Sequence, residues 1–111
     1  MSLRGRFLSE AIQKEIEGQG YFIMKDLTGH GIGKNLHEDP YVFGYIERPI
    51  AKTMTIKPGL TVAIEVIYSK GTEMIKHEKN DDWSIISSDR SLTACFEHTV
   101  AVGEKEVLVL T

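Results

Sequence analysis

"LTVAIEVI", Leu60 to Ile67, is the stretch on which the reading of this chain turns. Every residue in it suits a buried strand except Glu65. Side chains alternate along an extended backbone, so Glu65 shares a face with Ala63 and Ile67, while Val62, Ile64 and Val66 take the other. Both faces are apolar, which implies cover on both sides and no easy route to water for the carboxylate. An unpaired buried carboxylate costs several kcal/mol, so Glu65 needs a partner. "LTACFEHTVAV", Leu92 to Val102, poses the same question, because Glu97 and His98 interrupt a second apolar run that reads as buried.

The surroundings are those of one small soluble domain. A chain of 111 residues, taken as a single domain 1–111, can build one modest core. Its net charge of −3 comes with no basic cluster, which argues against nucleic acid as a partner. The single cysteine, Cys95, cannot close an internal disulfide and reads as a small core residue, so a cytoplasmic setting is the default. No apolar run reaches membrane-spanning length and no signal peptide is visible. Met1 to Leu3 read as a cloning scar outside the fold.

Leu8, Ala11, Ile12 and Ile16 recur at helical spacing from Phe7 to Glu17, and Gly18 and Gly20 stop that helix. "YFIMKDL" (Tyr21 to Leu27) reads as a short strand, and "TGHGIGKNLHEDP" (Thr28 to Pro40) as an irregular, glycine-rich loop. "YVFGYIERPI", Tyr41 to Ile50, is ambiguous. Lys57-Pro58-Gly59 makes a turn into the Glu65 strand. "GTEMIKHEKNDDWSII" reads as a hairpin turning near Asn80 to Asp82, and the C-terminal run as two strands folded back at Gly103. One helix followed by antiparallel strands predicts an α+β layer, an antiparallel sheet covered by one or two helices.

Gly29-His30-Gly31-Ile32-Gly33-Lys34 is not a phosphate loop, because three residues rather than four separate the relevant glycines and Asn35 follows the lysine. What remains is a histidine bracketed by glycines that let backbone crowd a ligand. His30 alone could equally be satisfied by backbone, and either glutamate alone could sit in a structural Glu–Lys or Glu–His pair, with His98 an obvious neighbour. Two strand glutamates and a glycine-bracketed histidine in one short chain favour a shared divalent metal. One imidazole with carboxylates suits Mn, Fe, Co or Zn better than Ca or Mg alone. His37 lies close enough in sequence to reach the same site and polarise a carbonyl, or else is a solvated loop histidine. Trp83 reads as core or pocket wall, His77 as surface.

"GHGIGKNLHEDPYVFGY", "KPGLTVAIEVI", "DDWSIISSDRSLTACFEHTVAV" and the terminal "VLVLT" together resemble the second half of type I methionine aminopeptidases. That resemblance implies half of a pita-bread fold and two-metal hydrolysis at the N-terminal methionine of peptides or nascent chains. It implies that His30, Glu65 and Glu97 are metal ligands, with Glu65 also the general base. It casts His37 as the residue contacting the scissile peptide, and Leu36 and Trp83 as walls of the methionine pocket. Leu36 stands where the family favours an aromatic, and Val66 where it has proline.

The resemblance also implies two aspartate ligands that this chain does not supply. The expectation is therefore a truncated metallopeptidase with weak or absent metal, inactive or feebly active alone, and served by a complementing N-terminal half. A homodimer is expected from the uncovered half-fold. The alternative is a non-catalytic protein-interaction module on a vestigial peptidase fold.

Overall fold

A computed structural model describes residues 4–49 and 52–111. Met1 to Leu3, and Ile50 at the end of the ambiguous stretch, lie outside the described residues. The elements run α1 (Gly5–Gly18), β1 (Phe22–Ile23), β2 (Gly29–Gly31), β3 (Glu38–Val42), β4 (Thr61–Ser69), β5 (Ile75–His77), β6 (Ile85–Ser87), β7 (Thr93–Val102) and β8 (Val107–Val109). They form the expected α+β layer.

Helix α1 starts where the chain after β3 satisfies its first free N–H groups. Gly5 donates to Met54 O at 2.8 Å and Arg6 to Thr53 Oγ1 at 3.3 Å. It stops at the predicted glycines, and Gly20 adopts a φ of 84° that side-chain-bearing residues avoid.

The main sheet is antiparallel in the order β3-β2-β4-β7-β8, with β1 also paired to β4. Strand β4 is its centre and pairs with β7 continuously, from Thr61 opposite Ala101 to Ser69 opposite Thr93. Val62 and Val100 are cross-strand partners, and with Val42 they form the buried core on one face. Leu8 of α1, Met54, Leu60 and Ile64 pack against them. Full burial of such a side chain contributes about 1.5–3 kcal/mol, so this small cluster is the main glue between helix and sheet. β5 and β6 form the predicted hairpin as a separate two-stranded sheet, and β7 folds back into β8 at Gly103.

Two expectations are corrected here. The glycine-rich segment is irregular only in part: it holds β2 and all but the last two residues of β3, with bends from Gly33 to His37 between them. Its glycines are there because backbone passes too close for a side chain. A Cβ on Gly29 would lie 2.3 Å from Ala63 O, and one on Gly31 would lie 2.2 Å from Asp39 O. Pro40 is tolerated because β3 is an edge strand, where a missing N–H costs no ladder bond. The first half of β7 is also not buried. Cys95, Phe96 and Glu97 are exposed: Phe96 lies on the α1 face at the rim of the part that the helix covers, whereas Cys95 and Glu97 lie on the opposite face, where no helix packs among the described residues. Cys95 is therefore not a core residue.

Candidate metal centre

Register brings the predicted donors together. In an antiparallel pair, directly opposed residues share a face. His30 of β2 faces Ala63 of β4, and two residues along β4 Glu65 faces Glu97 of β7. All three side chains therefore stand on the sheet face opposite α1. One donor atom from each of His30, Glu65 and Glu97 lies within 4.8 Å of the others. The strand alternation that made Glu65 look stranded is what aims it at this cluster.

Burial grades across the cluster. The His30 and Glu65 side chains are 12% and 19% exposed and meet at 3.4 Å between Nε2 and Oε2, whereas Glu97 is open to solvent. His30 Nδ1 lies 3.0 Å from Gly31 O. A carbonyl can only accept, so Nδ1 carries a hydrogen in this contact and Nε2 is the ring nitrogen turned to the cluster. Burial, then the Glu97 charge, raise the Glu65 carboxyl above the usual carboxylate range. A hydrogen bond that only protonated Glu65 can give Glu97 adds to this, while His30 and His37 oppose it. Cys95, on the same face of β7, has its thiol pushed up by partial burial and by both glutamates. Such mutual repulsion between facing carboxylates is what a bound divalent cation relieves, and the His/Glu/Glu set fits one.

His37 comes to the same place. Its ring lies 4.2 Å from that of His30, centroid to centroid, tilted by 42°. The two rings border an open hollow of about 450 Å³ with Thr28, Glu38, Asp39 and Tyr41. Tyr41 sits opposite His30 in the β2–β3 pairing. Tyr41 is not singled out by the sequence, because "YVFGYIERPI" has no clear helix or strand pattern. Its signal would have been a strand partner for β2.

Other expectations fare differently. His98 does not pair with Glu97, because adjacent residues of β7 point to opposite faces; its Nδ1 instead lies 2.6 Å from Thr111 O. Leu36 is in the β2–β3 connection and 69% exposed. Trp83 is neither in the core nor on a strand. It is 88% exposed in the β5–β6 turn and borders a separate hollow with His77, Asp82, Ser84 and Ile85. His77 is exposed, as expected.

An antiparallel sheet backed by a helix thus carries a histidine and two glutamates that converge on its other face, a donor set that could hold a divalent metal. Residues 2–104 match metallopeptidase family M24, and the chain belongs to that family. It is similar to the methionine aminopeptidase of Escherichia coli K12, at 38% identity over 106 residues covering 96% of this chain and 39% of that protein. The Clostridium acetobutylicum methionine aminopeptidase is 40% identical over 104 residues, covering 94% of this chain and 40% of the relative. The crystal structure of Thermotoga maritima methionine aminopeptidase superposes with a TM-score of 0.90 at 34% identity, over 99% of this chain and 43% of that one. The pita-bread architecture is thus the right one. The chain spans about two fifths of the length of the relatives it matches. Among the described residues no helix is long and apolar enough to cross a membrane.

Proposed function

We propose that this chain carries one part of a divalent-metal peptidase site acting at the N-terminal methionine of peptides. The observation that carries the reading is the convergence of His30, Glu65 and Glu97 within 4.8 Å on one sheet face of an M24 chain. These three residues would hold the ion, with Mn, Fe, Co and Zn the candidates for this donor set. When bound, such an ion supplies a Lewis acid and lowers the pKa of water.

The chain's own groups divide the remaining work. Glu65, half-screened between His30 and Glu97, accepts and hands on the proton of the attacking water. His37, exposed beside His30, donates a hydrogen bond to the scissile carbonyl oxygen and steadies the negative charge that develops there. Leu36 and Trp83 would border the methionine side chain. Both are solvent-exposed here, so that role requires further polypeptide to close the pocket over them. Three donors with an open side bind metal weakly, and the remaining ligands would come from a complementing chain. A cytoplasmic setting accords with the single unpaired thiol.

Isothermal titration with Mn, Co or Zn tests the metal site. Micromolar to millimolar binding is expected, and H30A and E97A should each weaken it by at least about tenfold. Hydrolysis of methionyl peptides should be feeble alone. It should rise when a chain equivalent to the part of these relatives that the match leaves out is added. No ion binding in the wild type, or no hydrolysis under either condition, sinks the proposal. An interaction module would instead retain partner binding in H30A and E97A.

A further inference from the structure

The two edges of the main sheet are built differently. The β3 edge carries Glu38, Asp39 and Pro40, and the register shifts between His30 and Gly31 beside it. Charge, proline and irregular pairing are the usual guards against edge-to-edge association. The β8 edge has none of them: Val107, Leu108, Val109 and Leu110 are all apolar and all exposed.

Backbone parity shows what that edge offers. Leu110 N–H donates to Thr99 O and Gly103 N–H to Glu106 O, both at 2.8 Å, with Leu108 opposite Ala101 between them. Leu108 and Leu110 therefore turn their N–H and C=O groups toward β7, and Val107 and Val109 turn theirs outward to an edge that no strand among the described residues pairs. We infer that β8 pairs with β8 of a second copy, antiparallel about a two-fold axis at Leu108.

In that register Val107 faces the partner's Val109, and each such pair exchanges two N–H···O bonds, giving four in all. The two valine pairs meet on the face of the α1 layer, and the two Leu108 side chains meet on the metal-site face. Glu106 falls opposite Leu110, so no like charges are opposed. Two neighbouring registers are worse. Centring on Val109 requires the Thr111 carbonyl that lies against His98, and centring on Val107 requires Lys105, which lies in the turn. The result is isologous, closes on itself and extends the sheet across both copies. It rests on the β8 edge alone and stands whether or not the metal site is catalytic. An interface this small predicts a weak dimer.

Sedimentation velocity over a concentration series, with EDTA present, should show a monomer–dimer equilibrium. V109P removes only an outward N–H and should weaken dimerisation at least tenfold while leaving the circular dichroism spectrum unchanged. Opposed residues that do not exchange hydrogen bonds lie closest together, so a C95S, L108C double variant should form a covalent dimer under mild oxidation. A monomer at every concentration overturns the inference. So does a dimer lost on adding EDTA, which would indicate bridging by metal. A dimer that survives V109P and gives no L108C crosslink also overturns it.

Discussion

Glu65 and Glu97 face each other across β4 and β7, and without a cation their repulsion opposes folding. E97Q removes that repulsion while keeping the side chain's shape. In EDTA the variant should be more stable than wild type by about 0.5–1 kcal/mol, a figure discounted for the exposure of Glu97. With a divalent ion present the order should reverse, because the ligand is gone. Thermal melts with and without metal check this, and a wild-type chain more stable in both conditions contradicts it. The opposite kind of residue is Gly29, whose missing side chain leaves room for Ala63 O. G29A should cost about 1–3 kcal/mol, read as a lowered melting temperature, because backbone rather than a pliable side chain must move. The two clustered glutamates were legible in sequence because a carboxylate in an apolar strand is chemically costly, and the cost shows without coordinates. The exposure of Glu97 was not, because alternation reports which face a residue takes and not whether anything covers that face; that of Trp83 was not, because it lies in the turn rather than on a strand.

Elements with a strong local signal were readable, and those made by distant backbone were not. The helix stop at Gly18 and Gly20, the Lys57–Gly59 turn and the β5–β6 hairpin all follow from neighbouring residues. β2 is only three residues long and exists because β4 passes beside it, so glycine content pointed the wrong way. The hairpin illustrates local control. Asp81 Oδ1 accepts the Trp83 N–H at 2.7 Å and the Ser84 N–H at 3.2 Å, and Oδ2 accepts the Ser84 hydroxyl at 2.5 Å. The hydroxyl chiefly, then the two N–H groups, hold this carboxyl below the usual range. A depressed folded pKa gives order that is fully present above the unfolded value of about 3.9 and is lost as pH falls through the folded value. Protection of the Ile75–Ser87 amides, measured as exchange relative to the intrinsic rate at each pH, should therefore fall below about pH 4 in wild type. D81N should exchange faster at neutral pH and lose most of that acid dependence. An identical pH profile in the two proteins contradicts the assignment.

At the scale of the whole molecule, coverage is the missing quantity. Five strands at the usual spacing put about 19 Å between the outer ones, whereas one helix is about 10 Å across. The radius of gyration is 14.9 Å, against about 13 Å for a compact chain of this length. The excess reflects a sheet that α1 backs over only part of its width. Beside α1 the uncovered part forms an apolar groove of about 530 Å³, walled by Ala11, Ile12, Ile16, Val66, Tyr68 and Phe96. Phe96 is 61% exposed there, so it adds little to the stability of the isolated chain but much to its apolar surface. F96S should change stability by less than about 1 kcal/mol while cutting the fluorescence of a bound apolar dye such as ANS severalfold. If F96S instead unfolded the chain, Phe96 would have to be packed in solution. The sheet would then be covered by something other than α1, and not by pairing through β8, which extends the sheet without covering this face. Unchanged dye binding in a folded F96S chain would shift the exposed apolar surface from this groove to the β8 edge.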